Sequence, residues 1–164
     1  MEDKKNFARL AGAGAALALG STLLAGAPAS AQAAAPVPIY QVKNANSSNS
    51  CLQVANIASN KGNVNLGNCD RRASQVWTVI DGVFTNPKYK HCLDGNGADV
   101  YTGLCNDGTY QKWNTTSGSP KSIVHDVSQE WLHANGAVGD EVVFRDTKET
   151  ASRWVITQVG SINP

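Results

Sequence analysis

The sequence predicts an all-β domain made of three similar units of four short strands each, closing a threefold barrel around a shared core. Three observations carry this reading. Gln75-Val76-Trp77 recurs as Gln111-Lys112-Trp113 and, in worn form, as Ser152-Arg153-Trp154, so the tryptophans stand 36 and 41 residues apart. A period of about forty residues marks a repeated supersecondary unit that cannot bury its apolar face alone. Cys69 precedes Trp77 by eight residues, and Cys105 precedes Trp113 by the same eight. Between these markers apolar and polar residues alternate over short runs broken by Gly, Asn and Ser, with no sustained helical period.

Residues 1–31 are set aside as a secretory signal peptide. Lys4, Lys5 and Arg9 give a positive start, Leu10 to Gly26 is apolar, and Pro28-Ala29-Ser30-Ala31 offers an Ala-x-Ala cleavage site. The competing reading is a membrane anchor. Its apolar run is interrupted by Gly12, Gly14, Gly20 and Ser21 and falls short of the roughly 20 residues that span a bilayer. Cleavage is expected after Ala31, with 32–38 a loose leader, and the expected product is secreted and soluble. Removing three Lys/Arg and two Asp/Glu leaves 11 of each (14 − 3 and 13 − 2), a formal charge of zero. A neutral chain lacks the basic excess that grips nucleic acid or an anionic membrane, so neither is an expected partner. The remaining length, about 130 residues, suits one domain.

The first unit, about 39–80, opens with the alternating Ile39-Tyr40-Gln41-Val42. A polar turn, Asn44 to Ser50, leads to Cys51-Leu52-Gln53-Val54. Val64-Asn65-Leu66 and Cys69 follow, and Gln75 to Ile80 closes the unit as a strand. The second unit, about 81–119, repeats this order: Val83-Phe84, Cys92-Leu93-Asp94, Val100-Tyr101-Thr102, Cys105 and Gln111-Lys112-Trp113. Four cysteines in an exported chain imply disulfides, and counting alone leaves three pairings. The matched spacing to tryptophan selects Cys51 with Cys69 and Cys92 with Cys105. Each bridge closes a loop of 13 to 18 residues, worth roughly 3 kcal/mol in the chain-entropy view.

The third unit, about 120–160, has lost both cysteines together. Ile123-Val124 opens it, Trp131-Leu132-His133 stands where Cys-Leu-x stood, and Val142-Val143-Phe144 fills the alternating strand. That register puts Thr147 at the second-cysteine position and Trp131 in place of the bridge. Without a bridge the third unit is expected to be the softest. Trp77, Trp113 and Trp154 are expected in the core. Gln75 and Gln111 are expected to be structural, their amides bonding local backbone.

Three Cys-Leu…Cys…Gln-x-Trp units, the last one worn, resemble the ricin-B-type lectin family over about 39–160. The resemblance implies a β-trefoil that binds carbohydrate, usually galactose- or xylose-type residues, at shallow sites, with one possible site per unit. Such a site takes an Asp just after Cys-Leu to accept hydrogen bonds from sugar hydroxyls. It also takes an aromatic ring two residues before the second cysteine to stack on the sugar, and an Asn before the Gln of Gln-x-Trp. The second unit alone keeps the Asp, as Asp94; the first has Gln53 and the third His133. Its stacking position is Gly103 and its Asn position Tyr110. Tyr101, Tyr110 or Asn96 could supply a ring or a hydrogen bond from elsewhere.

No catalytic chemistry stands out. His91, His125 and His133 lack metal-ligand spacing. The run Asp94-Gly95-Asn96-Gly97-Ala98-Asp99 fails the calcium-loop pattern, with Ala98 at a ligand position and Cys105 where the closing Glu belongs. It reads as a polar turn, and Arg71-Arg72 as a solvated one. The six Asp from 94 to 146 cannot be paired into a glycosidase constellation from sequence. No cofactor or metal is expected. The leading expectation is a secreted, non-catalytic domain that binds carbohydrate weakly, chiefly through the second unit with Asp94 central. The alternative is a trefoil that has lost sugar binding and serves as a protein-interaction, inhibitor or toxin-associated module.

Overall fold

The computed structural model describes residues 34–163, so the expected signal peptide lies outside the described residues. Twelve strands fall into three sets of four. They are β1 (Val37–Asn44), β2 (Ser50–Ala58), β3 (Lys61–Asn68) and β4 (Val76–Ile80); β5 (Val83–Asn86), β6 (His91–Gly95), β7 (Val100–Leu104) and β8 (Trp113–Thr115); and β9 (Lys121–His125), β10 (Trp131–His133), β11 (Val143–Arg145) and β12 (Arg153–Ile162). A one-turn 3-10 segment precedes the tryptophan of each set, at Ala73–Gln75, Thr109–Gln111 and Thr150–Ser152. The first and last strands of each set build the barrel, with β12 against β1, β1 against β4, β4 against β5, β8 against β9 and β9 against β12. The remaining seam, between β5 and β8, is held by the Trp113 amide donating to Gly82 O at 2.9 Å. Gly82 has φ +78, and a Cβ there would lie 2.7 Å from Trp113 O, so only glycine fits the seam. The inner strands form three hairpins, β2–β3, β6–β7 and β10–β11.

The threefold plan extends into the core. Trp77, Trp113 and Trp154 are fully buried. Each indole N–H donates to the carbonyl of the leucine in the Cys-Leu position: Leu52 at 3.2 Å, Leu93 at 3.0 Å and Leu132 at 2.9 Å. A buried indole needs such a partner, and the leucine carbonyl supplies it in all three units. Val42, Phe84 and Ile123, one from the first strand of each set, complete the ring of core side chains, and Phe144 stacks on Trp113 with centroids 5.8 Å apart.

Cys51–Cys69 and Cys92–Cys105 are bridged, each within its own unit. In the third unit Leu132 pairs with Phe144, as Leu52 pairs with Leu66 and Leu93 with Thr102. Three residues on from each partner stand Cys69, Cys105 and Thr147, so strand register gives Thr147 the second-cysteine position. Trp131 opposes Arg145 as Cys51 opposes Gly67, and its half-buried ring occupies the first-cysteine position.

A second threefold set was not visible in the sequence. Asn44, Asn86 and His125 end the first strands of the three units and are fully buried. Asn86 Nδ2 donates to Ala73 O and Val76 O, both at 3.0 Å, while its Oδ1 accepts from the Tyr89 amide at 3.2 Å. Asn44 likewise donates to Ala151 O at 2.9 Å and accepts from the Asn46 amide. His125 reproduces this with a ring, Nε2 to Tyr110 O at 3.1 Å and Nδ1 accepting from the Ser128 amide at 3.3 Å. These bonds assign its proton to Nε2.

Candidate functional site

In every unit the residue after Cys-Leu is clasped by the residue at the Gln position of Gln-x-Trp. In the second unit Gln111 Nε2 donates to Asp94 Oδ2 at 2.7 Å and to Leu104 O at 2.9 Å, and its Oε1 accepts from the Asn106 amide at 3.0 Å. In the first, Gln75 Nε2 donates to Gln53 Oε1 at 3.1 Å and Asn68 O at 2.6 Å, and its Oε1 accepts from the Asp70 amide at 3.1 Å. In the third, Ser152 Oγ donates to Thr147 O at 3.3 Å and is hydrogen-bonded to His133 Nδ1 at 3.0 Å. The two glutamines thus bond backbone on either side of the second cysteine, as the sequence suggested. They also fix the side chain that the sequence put at the centre of the site. Asp94 is 6% exposed, its Oδ2 is taken by Gln111, and its Oδ1 is buried without a hydrogen-bond partner.

The units differ in what lies above this clasp. At Gly67 a Cβ would fall 2.1 Å from Gln53 Oε1 and 2.9 Å from Gln75 Nε2, so the longer Gln53 side chain fills the stacking position of the first unit. Arg145 occupies the corresponding position of the third unit, opposite Trp131. At Gly103 the nearest atoms to a Cβ would be Asp94 Oδ2 at 3.6 Å, Asn60 O at 3.7 Å and Tyr101 Cε2 at 3.7 Å, ordinary van der Waals separations. Of the two glycines at the stacking position, Gly103 is the one that would take a Cβ without a clash, and it lies beside a carboxylate.

Of the four residues expected around the site, the structure brings Asp94 and Tyr101 together. They are directly opposed on β6 and β7. Burial raises the Tyr101 phenol above its ordinary pKa, helped by the Asp94 carboxylate beside it and by Asp99. Lys61 Nζ lies 4.0 Å from the centre of the Tyr101 ring, a cation–π contact the sequence did not signal. Asn96 is spent on its own turn, where Oδ1 accepts from the Ala98 and Asp99 amides at 3.0 and 2.8 Å. The half-exposed Tyr110 ring lies against His125, with centroids 6.0 Å apart. Gly95, following Asp94, is required for packing, since a Cβ would fall 2.4 Å from Phe144 Cζ.

The other polar groups singled out in the sequence have structural partners. His91, His125 and His133 are buried and hydrogen-bonded, His91 to Thr102 Oγ1 at 3.4 Å and His133 to Ser152 and Asn135. Arg72 forms a bidentate ion pair with Asp70, which holds the Asp70 carboxyl below its usual range. Among the described residues, no three His, Cys, Asp or Glu side chains group as a metal site would require. No helix there is long and apolar enough to cross a membrane.

Comparison with known proteins agrees with this geometry. No curated protein matches in sequence. Among solved structures, the designed threefold-symmetric protein ThreeFoil superposes with a TM-score of 0.64 at 19% identity, covering 74% of this chain and 99% of that one. The C-half of the earthworm R-type lectin, in complex with GalNAc, gives 0.62 at 11% identity, with 74% and 99% covered. The GlcNAc[alpha]1-4Gal releasing endo-β-galactosidase of Clostridium perfringens gives 0.59 at 15% identity, with 74% of this chain but only 32% of the enzyme covered. These likenesses establish the fold. The family model for the ricin-type beta-trefoil lectin domain matches residues 38–154, and the chain belongs to that family.

Proposed function

We propose that the chain is a secreted, non-catalytic carbohydrate-binding domain that holds sugar weakly and chiefly through its second unit. The observation that carries the reading is the difference between Gly67 and Gly103. The first is covered by Gln53, whereas the second would take a Cβ in ordinary contact with the Asp94 carboxylate, 3.6 Å from Oδ2, and the other oxygen of that carboxylate, Oδ1, is a buried acceptor without a donor. An unfilled acceptor on a carboxylate is costly when buried, and a sugar hydroxyl is a donor that would fill it. The glycine at the stacking position supplies no ring, so contact area is small and affinity low. Galactose- and xylose-type residues are the sugars the family resemblance favours, and the earthworm relative's GalNAc complex is in keeping with the first. Calorimetry of the purified chain with galactose and xylose, repeated on Asp94→Asn, tests this. Binding that the substitution leaves unchanged sinks the assignment.

A second reading rests on the same glycine. A stacking position without a ring fits a trefoil that has exchanged sugar for a protein partner. Capture of one specific protein, insensitive to competing galactose and xylose, would favour it.

A further inference from the structure

On the hairpin side of the molecule, a cleft of about 410 Å³ lies where β3, β7 and β11 meet. Its place is set by the repeat. The buried valines Val64, Val100 and Val142, equivalent in the three units, lie at its base. The residues just before them, Asn63, Asp99 and Glu141, surround the pseudo-threefold axis. Those just after them include Asn65 and Tyr101, which also line it. Strand register ties this axial cleft to the position described above. Asp94 opposes Tyr101 on β7, and Tyr101 opposes Asn63 on β3. Directly opposed residues share one face of a sheet. Asp94, Tyr101 and Asn63 therefore form a row on one sheet face across three strands, buried at Asp94, half-buried at Tyr101 and exposed at Asn63. Two inter-strand spacings give that row a length of roughly 10 Å, longer than a single pyranose ring. The parallel row of the first unit runs Gln53, Asn65, Glu141. Asn65 Oδ1 is buried without a hydrogen-bond partner.

We propose that the axial cleft is a second saccharide subsite, continuous with the Asp94 position past Tyr101, so that the ligand is an uncharged oligosaccharide rather than a single sugar. This rests on the reading that Asp94 binds carbohydrate. Amides and carboxylates around the cleft donate to and accept from the vicinal hydroxyls of a sugar ring. Lys61, which already lies over Tyr101, contributes one positive charge, against negative charges on Asp99 and Glu141. The net of minus one disfavours a sialylated or uronic acid unit here. The cleft is largely polar and open, which suits a hydroxyl-rich ligand better than an apolar one.

The test compares galactose with N-acetyllactosamine and xylose with xylotriose by calorimetry, on the unaltered chain, Asn63→Ala, Glu141→Gln and Asp94→Asn. For at least one pair the longer ligand is expected to bind about tenfold tighter, the scale of one well-made hydrogen bond. Asn63→Ala and Glu141→Gln are expected to remove that advantage while leaving monosaccharide affinity unchanged. Asp94→Asn weakens both members of the pair. Sialylated N-acetyllactosamine is expected to bind more weakly than the neutral form. Equal affinity for short and long ligands overturns the subsite, as does an advantage that survives both cleft substitutions. Either result leaves the Asp94 reading intact, provided Asp94→Asn still weakens binding. Monosaccharide affinity indifferent to Asp94→Asn, or no binding by any of these sugars, overturns the reading of the second unit and the subsite with it.

Discussion

Replacing Gln111 by Leu keeps the bulk of a buried side chain and removes its amide. Three hydrogen bonds go with it, to Leu104 O, the Asn106 amide and Asp94 Oδ2. Leu104 and Asn106 are exposed, so their backbone groups can return to water, and each loss costs about 1 kcal/mol. Asp94 cannot do so, because its Oδ1 is already buried and unpartnered. Losing the bond to its carboxylate costs a further 1.5–3 kcal/mol or so. The sum, about 3.5–5 kcal/mol, is a large part of the roughly 5–15 kcal/mol that holds a domain of this size. Urea denaturation followed by tryptophan fluorescence measures it, with an unchanged slope as the check on two-state behaviour. A double-mutant cycle with Asp94→Ala isolates the pair. The expected coupling is about 1.5–3 kcal/mol, against about 0.5–1.5 kcal/mol for the neutral Gln75–Gln53 pair. Coupling at Asp94–Gln111 no larger than at Gln53–Gln75 would refute the claim that Gln111 holds an otherwise unsatisfied carboxylate.

Three other outcomes are expected. His125→Asn should cost about 1–2 kcal/mol, since asparagine can remake both backbone bonds as Asn44 and Asn86 do and only packing is lost. His125→Leu should cost about 3 kcal/mol or more, because it leaves Tyr110 O and the Ser128 amide unmatched; equal costs in denaturation would contradict the equivalence. Removing Cys92–Cys105 as a pair of serines should cost about 3 kcal/mol, and hydrogen exchange on the intact chain should find β10 and β11 opening before β2–β3 and β6–β7. Tyr101 has a raised folded-state pKa, so it favours folding while the phenol is neutral. That contribution is complete below the ordinary tyrosine value near 10 and is lost as pH rises through Tyr101's own higher value. Tyrosinate absorbance should lose a phenol that titrates above the ordinary tyrosine value when Tyr101→Phe is made.

Much of the fold was legible in the sequence because repetition converts spacing into register. The eight-residue step from Cys69 to Trp77 and from Cys105 to Trp113 gave both disulfides, and the Val64, Val100 and Val142 alignment gave the third unit its place. The Asn44, Asn86 and His125 set was not legible. These residues stand 33, 27 and 29 positions before their tryptophans, because the intervening loops differ in length and erase the period. Glu141 and Asn63 near the axis could have been found, since each directly precedes an aligned valine. Lys61 could not, because its contact with Tyr101 depends on the pairing of β3 with β7 across units. The clasp between Asp94 and Gln111 was hidden for a related reason. Seventeen residues separate them, and only the repeat of the same contact in Gln53–Gln75 and His133–Ser152 identifies it as part of the fold. Asp94 therefore has one oxygen that serves the framework and another that is buried without a partner, and the proposed function gives that second oxygen to a ligand.

A nitrogen–proton NMR titration of the chain with galactose and with xylose tests the central claim most directly. Shifts concentrated on Asp94, Tyr101 and Gly103, with Gly67 and Arg145 unmoved, are the expected result. Shifts centred on the first or third unit, or none at saturating sugar, would contradict it.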